Sequence, residues 1–103
     1  MVEYELILPP GFDDYAWEVE SKVWFSGAVV KFSGKKYSLS FYDSSRLSQE
    51  IADELFAHPM FVEDNLVVLE SVDHSHMEKA VEFLARSGKY NCLKADAETV
   101  LLN

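Results

Sequence analysis

Polar and apolar residues alternate over Val2-Glu3-Tyr4-Glu5-Leu6-Ile7-Leu8, which predicts a strand with one wet and one dry face. Pro9-Pro10-Gly11 ends it, because proline cannot donate to a ladder and glycine releases the turn. The acidic, aromatic stretch Phe12 to Ser21 fits either a loop with one helical turn or the frayed start of the next strand. From Val23 to Phe32 and from Lys36 to Tyr42 the chain is rich in β-branched and aromatic residues. The break at Ser33-Gly34-Lys35 predicts a hairpin between these runs. A two-residue loop at 33–34 or at 34–35 gives the same facing. One face carries Ala28, Val30 and Phe32 beside Tyr37, Leu39 and Phe41, and is the expected core. The other carries Phe25, Gly27, Val29 and Lys31 beside Ser38, Ser40 and Tyr42.

Helical periodicity follows. Asp43-Ser44-Ser45 offers several N-caps before Leu47, Ile51, Leu55 and Phe56, so a helix is expected over about 45–57, stopped by His58-Pro59. The unbroken apolar run Asn65 to Ser71 predicts a strand covered on both faces or central in the sheet. Ser75-His76-Met77-Glu78 matches a capping box, Met77, Ala80, Val81 and Leu84 form one stripe, and Gly88 stands at the C-cap. Tyr90 to Leu93 is expected as a short strand, and Glu98 to Leu102 as a last edge strand or docked tail.

The order β-β-β-α-β-α, with one or two short C-terminal strands, predicts an α+β two-layer sandwich. Its mixed, mostly antiparallel sheet carries two helices on one face, loosely ferredoxin-like. The crossover from 66–69 through the second helix to 90–93 is expected to be right-handed. At 103 residues and 49% hydrophobic content the chain is expected to be one domain, 1–103, with its own core, which excludes intrinsic disorder.

Charge narrows the function classes. Eighteen acidic residues against nine basic give a formal charge of −9, and the bases are scattered, so direct nucleic-acid binding is not expected. No run approaches the roughly 18–20 apolar residues of a membrane span, and MVEYELILPP lacks the basic n-region of a secretory signal. A single cysteine, Cys92, excludes a disulfide scaffold and suits a reducing compartment, so a cytoplasmic location is expected.

Candidate chemistry is sparse. Asp73-His74-Ser75-His76 holds nitrogen and oxygen donors, but two histidines at i and i+2 on a helix start diverge, so His74 and His76 are weak metal candidates and no cofactor is expected. Cys92, in a strand-like setting without a glycine elbow, reads as a buried structural thiol. The carboxylate pairs Asp13-Asp14, Asp53-Glu54 and Glu63-Asp64 read as solvated faces, and neither GxGxxG, GxSxG, HExxH nor CxxC occurs.

What remains is the second hairpin face. Phe25, Val29, Ser38, Ser40 and Tyr42 form a shallow, aromatic-rimmed surface that a two-layer sandwich leaves open unless the 12–21 segment, a second copy of the chain or a ligand covers it. The expectation is a non-enzymatic binding or regulatory module acting through homodimerisation or a protein partner. Two alternatives stand beside it. One is an acidic inhibitor docking on a basic partner. The other is a ligand-binding protein or enzyme with a pocket under the 12–21 segment, using Ser40, Tyr42 and Asp43 between Trp17 and Phe25.

Overall fold

The structure is a computed structural model that describes residues 2–96. Four strands, β1 (Tyr4–Ile7), β2 (Trp24–Phe32), β3 (Lys35–Tyr42) and β4 (Leu66–Val68), form one sheet in the order β1-β2-β3-β4. Three helices, α1 (Phe12–Lys22), α2 (Ser44–Ala57) and α3 (His74–Ser87), and a 3-10 turn at Lys89–Cys92 make up the other elements of the described residues. β1, β2 and β3 run antiparallel, and β4 lies parallel to β3. The fold is therefore α+β with an open mixed sheet. The parallel pair is joined through α2, and every strand lies beside its sequence neighbour.

The hairpin closes at Phe32↔Lys35 around Ser33 and Gly34, both with positive φ (53° and 85°), as a two-residue turn of the primed kind requires. Alternation then delivers Ala28, Val30, Phe32, Tyr37, Leu39 and Phe41 to the core, all buried. α1 adds Phe12 and Val19, and α3 adds Met77, Val81 and Ala85, so these two helices share the core face. The 12–21 segment is thus a helix on the core side. Phe12, Tyr15, Ala16 and Val19 face inward at i, i+3, i+4 and i+7, and Asp13 and Asp14 complement the dipole in its first turn.

α2 is built differently. Asp43 caps it by accepting from the Arg46 amide (2.7 Å), but none of its fourteen residues is buried. Leu47 and Ile51 are half-buried, and none of its apolar side chains joins the core cluster. The loop that follows it reaches the second face, where Glu63 accepts from Tyr42, which alternates with core-facing Phe41.

Several expectations change at the C-terminal half. β4 is an edge strand, with Val67 packed on the core and Val68 exposed on the other face. Tyr90 to Leu93 is a 3-10 turn, so the expected crossover through α3 to a further strand is absent here. Tyr90 stacks on Phe32 at 5.0 Å between ring centroids, and this apolar contact holds the turn against the core. Below β4, the Asp96 amide donates to the Lys36 carbonyl (2.8 Å), so Lys94–Asp96 occupies the β3 edge that β4 does not reach. The expectation for Glu98 to Leu102 lies outside the described residues.

The start of α3 is also shifted. Asp73, two residues ahead of the expected Ser75, is the N-cap and accepts from the His76 amide at 2.8 Å. Its carboxylate takes the orphan donor first, so the helix opens at His74, whose Nε2 lies 3.4 Å from Glu78. Gly88 ends the helix in the left-handed conformation, as expected (φ 79°).

Candidate functional site

The five residues expected on one face separate in the structure. Val29, Ser38, Ser40 and Tyr42 stay outside the core cluster, on the second face. Phe25 does not. The register of β2 on β3 slips between Phe25 and Ala28, and this bulge inserts an extra residue that reverses the facing upstream of it. Phe25 is therefore a core residue, edge-on to Phe12 at 5.3 Å. Gly27 within the bulge permits that turn: a Cβ there would stand 2.9 Å from Phe25 Cζ and 3.4 Å from Pro9 Cγ.

Each remaining residue of the face meets a different neighbour. Tyr42 is buried (3% exposed) and donates its hydroxyl to Glu63 Oε1 at 2.6 Å, with the Trp24 ring tilted beside it at 6.4 Å. Ser38 donates from both its amide and its hydroxyl to the Asp96 carboxylate, at 3.1 Å each. The Asn65 side chain works as a peptide surrogate at the same edge. Its amide donates to the carbonyls of Ser38 (2.9 Å) and Lys94 (2.8 Å), and its oxygen accepts from the Lys94 amide (2.7 Å). Val29 is half-buried and pairs with Ile7 of β1, while Leu66 and Val68 extend the face beside Ser40 and Tyr42.

The residues proposed as walls and polar groups of a pocket do not converge. Trp17 is 68% exposed on α1, Phe25 is in the core, and the Asp43 carboxylate is used as a helix cap. Phe12 and Val19 fill the space between α1 and the sheet. A depression of about 410 Å³ does open at the start of α1, lined by Leu8, Pro9, Phe12, Asp13, Asp14 and His74.

The histidines are separated by their partners. His76 Nδ1 lies 2.8 Å from Asp73 Oδ1 and its Nε2 3.7 Å from Glu70, whereas His74 faces Glu78. Among the described residues no three His, Cys, Asp or Glu side chains are placed to share a metal ion. Burial works against ionisation of Asp73, but hydrogen bonds from the His76 amide and ring and from Ser71 outweigh it, and its carboxyl sits below the ordinary 3.8. The consequence for stability has a definite sign. A lowered pKa favours the folded state above the ordinary carboxylate value, and that contribution is lost as pH falls through the folded value. Asp73→Ala should lower the denaturant midpoint by the equivalent of about 1 kcal/mol at neutral pH. The parent should lose that advantage in acid, and a constant gap between parent and variant down to strongly acid pH would contradict it.

Cys92, expected as a buried strand thiol, is exposed on the 3-10 turn, because that segment turns away instead of pairing. The largest departure from the sequence pattern is at the end of α2. Leu55, Phe56, Met60 and Val62 are 52, 94, 59 and 72% exposed. Leu55 continues the i, i+4, i+8 row of Leu47 and Ile51, so nothing local marks it as exposed, whereas Met60-Phe61-Val62 follows Pro59 with no alternation to place it. Only the second of these is a signal the sequence carries. No helix among the described residues is long and apolar enough to cross a membrane. Compared with protein-family models, curated proteins and solved structures, the chain matches none of them.

Proposed function

We propose that this chain is a small, non-enzymatic interaction module that docks a protein against the apolar turn at the end of α2. One observation carries the reading: α2 buries none of its residues, and its last turn and the loop after it hold Leu55, Phe56, Met60 and Val62 out to solvent. Exposed apolar clusters of this kind cost solubility and mark interaction sites more often than they serve the monomer. An exposed, unpaired Cys92 fits a reducing compartment, so the cytoplasm is the setting this reading expects.

Selection of random peptides on the immobilised protein tests the reading without a known partner. Sequences that bind the parent and not Phe56→Asp are expected. Enrichment of nothing that depends on Phe56, together with a monomeric mass in light scattering, would remove the proposal.

Self-association through the sheet is the second reading, favoured by half-buried Val29 and small Ser38 and Ser40 on a face that α1 does not cover. It expects a dimer whose mass is insensitive to salt and which Val29→Glu converts to a monomer. A Val29→Glu protein that keeps the parent's mass would end it.

A further inference from the structure

We infer that the partner docking at the α2 turn is a cationic, amphipathic protein segment; this rests on the docking reading above and specifies its occupant. The apolar part comes first. Leu55, Phe56, Met60 and Val62 lie within eight consecutive residues and each is more than half exposed, a concentration of exposed apolar side chains that marks interaction surfaces. A standard interface buries about 800 Å² per partner, so this turn supplies an apolar centre and the remaining area must come from its rim.

The rim is acidic, most of all before the turn. Asp53 and Glu54 precede the apolar residues; of the two that follow, Glu63 accepts from Tyr42 and Asp64 lies 3.5 Å from Lys94 Nζ. Residues 44–64 contain one Lys or Arg, Arg46, which lies in the first turn of the helix and faces Glu50 at 3.6 Å. The last turn of α2 carries no base to offset the negative end of the helix dipole. The field at the turn is therefore negative from the carboxylates and the helix end together.

Charge decides between occupants. A second copy would bring its own Asp53 and Glu54, and its own −9, against the same pair. An anionic membrane surface is repelled in the same way. A segment with leucine-like anchors flanked by Lys or Arg gains on both counts, since the anchors cover Phe56 and its neighbours while the bases meet the rim.

The test uses two synthetic amphipathic helical peptides of one pattern, one of Leu and Lys and the other of Leu and Glu. Each is titrated into the isotopically labelled full chain and followed by amide chemical shifts. The Leu/Lys peptide is expected to shift residues 53–64 selectively, with an apparent Kd that rises severalfold as salt is increased. Phe56→Asp sharpens the result. It adds a negative charge at an exposed position, so purely electrostatic attraction would tighten binding, whereas docking on the apolar turn weakens it by tenfold or more.

Tightening with Phe56→Asp, or shifts spread over the whole acidic surface, overturns the inference. Equal binding of the Leu/Glu peptide at residues 53–64 overturns the cationic partner and leaves the docking reading standing. So does a dimer of the chain itself that Phe56→Asp dissociates. No shift at residues 53–64 from either peptide, with a monomeric parent, overturns both.

Discussion

Phe41→Ala should cost about 3–5 kcal/mol, the usual penalty for emptying a buried phenylalanine site. Phe41 is fully buried in β3, bracketed by Phe25 on β2 and Val67 on β4 in the strand register. No neighbour can collapse into the space without breaking the pairing on one side or the other. Set against a total of about 5–15 kcal/mol for a small domain, the loss leaves a marginal fold, and the thermal midpoint should fall by on the order of 20 °C. Phe56→Ala makes the matched control. The same chemical change at a residue 94% exposed should alter stability by less than about 0.5 kcal/mol. Circular dichroism melts of the two variants test the burial pattern directly. Equal losses would mean that α2 packs its last turn inward and that no exposed docking turn exists.

The core was legible because a sheet has period two and the hairpin break was unambiguous. Ala28, Val30, Phe32, Tyr37, Leu39 and Phe41 follow from counting outward from Gly34. Counting fails beyond Gly27. A bulge shifts the parity by one, and the lone glycine inside a strand pattern was its only trace in the sequence. Simple alternation therefore assigns Phe25 to the second face, and the bulge turns it to the core. α1 had a readable i, i+3, i+4, i+7 set in Phe12, Tyr15, Ala16 and Val19. The non-helical backbone at Tyr15 (φ −128°) and the left-handed Gly11 at its start belong to the folded chain and leave no mark in the sequence pattern. The candidate site was less legible still. Alternation alone puts Val29, Ser38, Ser40 and Tyr42 on one face, but whether that face is covered depends on tertiary packing. Leu47 and Ile51 fit a packed helix, while Leu55 and Phe56 are equally apolar and end in solvent. Local pattern separates a wet face from a dry one, and tertiary packing decides which apolar residues find a partner.

Tyr42 should make the folded protein lose stability in alkali in a way its phenylalanine variant does not. Burial is the largest influence on its phenol, followed by the hydrogen bond to Glu63 and that carboxylate's charge. Glu50 adds to them and Trp24 opposes them, and the balance pushes the pKa from 10.0 up to about 12. A raised value means that folding favours the neutral phenol. Its contribution is complete below pH 10 and disappears as the pH climbs through about 12. Tyr42→Phe removes the donor and leaves the Glu63 carboxylate half-buried without it, which should cost about 1–2 kcal/mol at neutral pH. Tyr42→Ala also empties the ring site beside Trp24 and should cost about 3 kcal/mol or more. Denaturant midpoints of parent and Tyr42→Phe, measured from neutral pH to strong alkali, should converge above pH 10 as the parent's phenol ionises. Parallel curves would show that the Tyr42–Glu63 bond does not form in solution. The bond matters beyond stability, because Glu63 lies in the loop between α2 and β4. It ties that loop to β3 one residue after Val62. Releasing it should loosen the exposed turn and weaken any docking there, even though Tyr42 is buried away from that surface.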